Sequence, residues 1–129
     1  MAEFCTEHDL PEPVVISHDL SAEAAATAVE QWREAGVSAV ATYNDEYAFA
    51  ILAGMRALGL SAPEDLAVIG VDDVQLSKFA APPLTTVTLS PPDAVEILGK
   101  LVLANLGEEE YPELAPQATL PKLVVRETT

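Results

Sequence analysis

A chain of 129 residues is long enough for one domain that buries roughly two-thirds of the surface its unfolded form exposes. Half of its residues are apolar, yet no run approaches the roughly 20 consecutive apolar residues that a membrane span requires. Six Lys and Arg stand scattered against 21 Asp and Glu, a net charge of −15, which excludes the basic stripe that nucleic acid or an anionic membrane would need.

The first ten residues, MAEFCTEHDL, are acidic and lack the apolar core of a secretory signal. Phe4 and Leu10 predict a short helical piece that stops before Pro11 and Pro13. Cys5 is the one cysteine, which excludes an internal disulfide, fits a reducing compartment and, with no base beside it, reads as inert. Val14–Ser17 (VVIS) is a predicted strand, and His18-Asp19-Leu20 a turn. Ser21 then caps a helix whose apolar face carries Ala24, Ala25, Ala28, Val29 and Trp32, and Gly36 closes it. Trp32 on that face is a core residue rather than a stacking platform.

From Val37 to Asp73 the pattern is strand, helix, strand. Val37–Tyr43 is an apolar run ending at Asn44-Asp45, Glu46–Leu60 is a proline-free helical segment, and Ser61–Asp65 is a loop. Leu66–Val71 is a second strand, ending at Asp72-Asp73. Two apolar strands joined by a helix predict a βαβ unit with a parallel sheet and a right-handed crossover. Polar residues beyond the carboxyl ends of such strands line the ligand crevice, which makes Asn44, Asp45, Asp72 and Asp73 the candidates. Turn and capping chemistry explains Asp45 best, both readings fit Asn44, and two successive acids after a buried strand favour a functional role for Asp72 or Asp73. The helical segment is apolar around most of its circumference, more than packing on one sheet face needs. The surplus predicts a subunit interface through Tyr47, Phe49, Ile51, Met55 and Leu58.

Beyond Asp73, Val74–Ala81 predicts one helical turn, Pro82-Pro83 an extended passage and Leu84–Leu89 a strand. Ser90-Pro91-Pro92-Asp93 starts a helix that runs to Gly107, residues 108–119 form an acidic loop, and Leu120–Arg126 is a closing strand. The polar strand ends could hydrogen-bond a small neutral ligand, hold Mg²⁺ or carry a phosphoryl group. There is no glycine-rich phosphate loop, and His8 and His18 lack a partnered serine or metal-ligand spacing, so neither catalysis nor a metal or other cofactor is expected.

Thr42–Asp73 (TYNDEYAFAILAGMRALGLSAPEDLAVIGVDD), followed by PPLTTV and then LPKLVVRETT, resembles the LacI/GalR family of bacterial transcription regulators. The series comprises an Asn-Asp pair opening a long helix, a Pro-Glu-Asp loop, a strand ending in Asp-Asp, a Pro-Pro-Leu-Thr-Thr-Val segment and a Leu-Val-Val-Arg strand. It extends from about Glu3 to the C-terminus. The resemblance implies an α/β fold, a βαβ sandwich like a type I periplasmic-binding-protein subdomain. It implies a small effector, a sugar or purine-like molecule, held by Asn44 and Asp72 with Leu20 and Asp73 nearby. It further implies a cytoplasmic homodimer formed partly through the helix after the Asn-Asp pair. Leu20 and Val71 stand where the family often carries aromatic rings, and Thr88-Leu89 where Arg or Lys and Gln are common.

Against this family, the expectation for residues 1–129 is the C-terminal part of the effector-binding and dimerisation domain. The helix-turn-helix that touches DNA and the N-terminal subdomain would lie outside this chain, and the helix Asp93–Leu106 would expose Leu and Val side chains. Two other readings share features with it. A receiver-like phosphotransfer domain suits the acidic strand ends but expects its acidic pair after the first strand. A fragment of a periplasmic sugar-binding protein shares the fold but expects a secretory signal.

Overall fold

The computed structural model describes residues 2–88, 94–107 and 121–129. In chain order the helices are α1 (Ala2–Glu7), α2 (Ala22–Glu34), α3 (Asp45–Ala57) and α4 (Ala94–Asn105). The strands are β1 (Ala39–Ala41), β2 (Ala67–Val71), β3 (Thr85–Thr88) and β4 (Lys122–Val124), ordered β1-β2-β3-β4 in one sheet. The first three run parallel, in the register Ala41↔Ile69 and Ile69↔Thr85, and β4 pairs antiparallel with β3. The predicted βαβ unit is thus β1-α3-β2. The helix start expected at Ser90–Asp93 and the acidic loop at 108–119 lie outside the described residues.

Local chemistry accounts for the helix ends. Ser21 accepts a hydrogen bond from Ala24 N (3.1 Å) and starts α2, as the sequence predicts. Asn44 does the same for α3, taking Tyr47 N at 3.1 Å, so Asn44 and not Asp45 is the cap. The helical turn expected after Asp73 is a single 3₁₀ turn at Ser77–Phe79.

The core forms between α2, α3 and one face of the sheet. Ala25, Ala28, Val29 and Trp32 of α2 meet Ala48, Ile51, Leu52 and Met55 of α3 over Val40, Val68 and Leu84. Burying each of the larger side chains contributes about 1.5–3 kcal/mol. On the other face Ala39 and Ala41 are exposed. There Cys5 of α1, Val15, Ala39, Ala41 and Ile69 border a cavity of about 420 Å³. Leu98, Val102 and Leu106 on and beside α4 are more than half exposed, as the sequence predicts.

Two expectations are corrected. Val14–Ser17 is extended but joins no ladder; its Val14 carbonyl accepts the indole N–H of Trp32 at 3.1 Å instead. The surplus apolar surface of α3 is largely absorbed inside the chain, because α2 lies against it. Ile51 and Met55 are fully buried there, which removes both from the set expected at a subunit interface. The approach depends on small residues: a Cβ added at Gly54 would stand 2.6 Å from the backbone nitrogen of Ala26.

Gly54→Ala is therefore expected to destabilise the fold by about 1–3 kcal/mol, since the clash is with backbone that cannot swing away. Gly99→Ala on α4, where the added methyl meets nothing within 4 Å, is expected to be neutral or to stabilise by up to about 1 kcal/mol. Paired urea denaturation curves check both.

Candidate functional site

The carboxyl ends of β1 and β2 converge. Ala41 and Ile69 are register partners, and Asn44 and Asp72 each lie three residues further on. Thr42 extends the contact past the ladder, its N–H reaching Ile69 O at 3.0 Å. Asn44 spends its side-chain oxygen on the Tyr47 cap, which leaves the amide nitrogen, a donor, for a ligand. Capping and binding are compatible at this residue. Asp72 is exposed, and its N–H is held by Val87 O at 2.8 Å.

The turn after β2 is unusual in its backbone. Asp72 has φ of +109° and Asp73 φ of +52°, a region that residues with side chains rarely enter. Side chains hold the turn there. Asp73 Oδ1 accepts from Arg126 Nη2 at 2.6 Å, and Arg126 Nη1 also reaches Leu84 O at 2.6 Å. Asp73 N–H donates to Thr86 Oγ1 at 3.4 Å. The charge of Asp73 is thus matched by Arg126, and Asp72 is the carboxylate left toward solvent.

Beneath both strand ends lies Asp45, first residue of α3 and fully buried. Its Oδ2 accepts from Val74 N at 2.9 Å and from Ser77 Oγ at 2.5 Å, and its Oδ1 accepts from Thr86 Oγ1 at 2.5 Å. Three donors and the positive end of α3 compensate the charge without a cation. The space was made for it: a Cβ on Gly70 would collide with Asp45 Oδ1. Asp45, expected from the sequence to be a helix cap, instead ties α3 to the turn after β2 and to β3. Its partners lie 29 to 41 residues away, beyond what local spacing reveals.

Two cavities open at this end. One, of about 510 Å³, lies between Ser17, His18 and Asp19 and the α2 residues Ala24, Thr27 and Gln31. The other, of about 290 Å³, lies between Ile16, Ser17 and His18 and Thr42, Tyr43 and Tyr47. Leu20, about half exposed, is on the wall of neither. Sequence reading missed His18 and Tyr43 as wall residues, though both adjoin positions it singled out. Away from the strand ends Phe49 shares an apolar groove with Leu52, Ala53, Leu76 and Phe79, of which Leu76 and Phe79 are 65% and 73% exposed. Of the other residues expected at an interface, Tyr47 is half-buried and Leu58 is 37% exposed. Among the described residues no cluster of three or more His, Cys, Asp or Glu could hold a metal ion.

The whole chain, residues 1–129, matches the periplasmic binding protein-like domain family. The HTH-type transcriptional repressor PurR of Vibrio vulnificus is 31% identical over 104 residues, covering 81% of this chain and 30% of that protein. The HTH-type transcriptional regulator MalR of Streptomyces coelicolor is 35% identical over 92 residues, covering 71% of this chain and 26% of that protein. Among solved structures, a LacI family transcriptional regulator from Arthrobacter in complex with lactose superposes with a TM-score of 0.76 at 28% identity. That match covers 99% of this chain and 49% of the other. A sugar-binding LacI family regulator from Escherichia coli, at 21% identity and a TM-score of 0.77, shares the fold. The chain thus spans about 30% of the first of these relatives and about half of the solved ones. The receiver-like reading is displaced by the family match.

Asp45→Ala is expected to leave the Val74 amide and the Ser77 and Thr86 hydroxyls without their acceptor and to cost about 3 kcal/mol or more. Thermal unfolding measures the loss, and faster amide hydrogen exchange at residues 73–79 locates it.

Proposed function

This chain belongs to the periplasmic binding protein-like domain family, and on that premise we propose that it is the effector-sensing and dimerisation part of a LacI-type transcriptional regulator. The observation that carries the reading is the pairing of Asn44 and Asp72 at adjacent strand ends, with cavities beside them. The free amide of Asn44 donates to the effector, and the exposed carboxylate of Asp72 accepts from its hydroxyls. Asp73 supports from behind through Arg126. Leu20, at the rim, adds apolar contact. The effector is a small neutral hydroxylated molecule of sugar or nucleoside type, in keeping with the lactose complex of the Arthrobacter regulator.

Sensing is a population shift. An effector that prefers one arrangement of the binding cleft biases the equilibrium by the difference in its affinity for the two states, and so alters DNA binding by a head domain outside these 129 residues. The acidic balance of this chain agrees with leaving DNA to another part of the protein, in the cytoplasm. No helix among the described residues is long and apolar enough to cross a membrane.

Dimerisation uses the outer surface of α3 with the 3₁₀ turn. Phe49, Leu58, Leu76 and Phe79 present the exposed apolar surface, with Tyr47 at the cleft end of the same helix. Phe79→Asp is expected to shift the chain to monomer in analytical ultracentrifugation while leaving its melting temperature nearly unchanged.

Calorimetric titration with a panel of mono- and disaccharides and nucleosides tests the site. Asn44→Ala and Asp72→Asn are each expected to weaken the effector that binds by about tenfold to a hundredfold, the loss of one hydrogen bond to a charged or amide partner. Unaltered affinity in Asp72→Asn removes Asp72 from the site.

A further inference from the structure

The smaller cavity carries three aromatic rings at the end of β1. Tyr47 meets His18 edge-on, with centroids 5.4 Å apart, and meets Tyr43 at 6.5 Å and 89°. Tyr43 is 86% exposed, so its faces are open for contact beyond the chain's own core. His18 is oriented by a 2.8 Å hydrogen bond between Nδ1 and the Asp19 carbonyl. Because a carbonyl only accepts, Nδ1 carries the proton, and in the neutral ring Nε2 is an acceptor. Ser17 adds a hydroxyl to the same wall, and Asn44, next in the chain to Tyr43, adds an amide donor.

Apolar ring faces beside single, uncharged donors and acceptors match one ligand chemistry. A pyranose has an apolar C–H face that stacks on an aromatic ring and a rim of hydroxyls that both donate and accept. No Lys or Arg lines either cavity, so nothing there would hold the phosphate of a nucleotide or sugar phosphate. Neither Leu20 nor Val71 offers a ring.

We infer that Tyr43, braced by Tyr47 and His18, is the platform on which a neutral pyranose effector stacks, and that it determines specificity for such rings. The inference rests on the effector-sensing reading and names its ligand class. Tyr43 supplies the ring face, Tyr47 and His18 fix its setting, and His18 Nε2 and Ser17 meet hydroxyls at the rim.

Saturation-transfer NMR on the 129-residue chain tests it, with methyl glycosides of glucose, galactose, mannose and xylose in one arm and adenosine in the other. The expected result is saturation of the C–H protons of one glycoside, retained in Tyr43→Phe and weakened about tenfold in Tyr43→Ala and Tyr43→Leu. The exposure of Tyr43 lets all three variants fold, which an unchanged circular dichroism melt verifies. If a glycoside binds, Asn44→Ala loses it and Tyr43→Ala does not, the platform is overturned and the effector reading stands. Adenosine binding with every glycoside silent overturns the pyranose class while keeping a sensing site. Silence in both arms overturns the platform and the effector reading together.

Discussion

The buried carboxylate of Asp45 is the constraint on which this end of the molecule depends. A charge with no exposed surface is costly unless its hydrogen bonds are complete. Here three donors from three places in the chain complete them: Val74 N and Ser77 Oγ on one oxygen and Thr86 Oγ1 on the other. Satisfying that one anion fixes the start of α3, the turn after β2 and the interior of β3 relative to one another. Thr86 passes the constraint on, since the oxygen that donates to Asp45 also receives the Asp73 N–H. The left-handed backbone at Asp72 and Asp73 is held by this network and by Arg126, not by local preference.

The same network joins two surfaces. Asp45 follows Asn44, whose amide faces the ligand crevice in the proposed reading, and it anchors the Val74–Ser77 segment that leads into Leu76 and Phe79 of the apolar groove. A ligand that pulls on the strand ends and a partner that covers the groove therefore act on groups hydrogen-bonded to one carboxylate. Packed and hydrogen-bonded interiors shift between discrete arrangements rather than bending continuously, which is the property a sensing domain needs.

Much of this was legible in the sequence because it is local. Ser21 caps α2, Trp32 is core, and the apolar runs at β1 and β2 end at polar pairs, each a matter of spacing and side-chain type. The misses are long-range. Asn44 and Asp45 offer two residues for one cap, and only the distant Ser77 and Thr86 decide that Asp45 turns inward. The apolar girth of α3 reads as an interface until the alanines of α2 and the bare Gly54 bring the two helices together over Ile51 and Met55. Val14–Ser17 has strand composition, but the Trp32 indole takes the Val14 carbonyl that a neighbouring strand would have used. Leu76 and Phe79 gave no periodic signal, because a single 3₁₀ turn is too short to show one. The C-terminal Thr128 likewise bridges β2 and β3, taking Thr85 N and donating to Val68 O, a role visible only once the strands are side by side.

The most direct measurement is an amide NMR map of the labelled chain across a titration with neutral saccharides and nucleosides, set beside one with Mg²⁺ and acetyl phosphate. A ligand site at the paired strand ends predicts shifts at Tyr43 and Asn44 and at Asp72 and Asp73, reaching Val74 and Ser77 through Asp45, with the Mg²⁺ titration silent. Shifts confined to the Cys5 and Ala39 side of the sheet, or a phosphoaspartate mass increment with acetyl phosphate, would contradict the account.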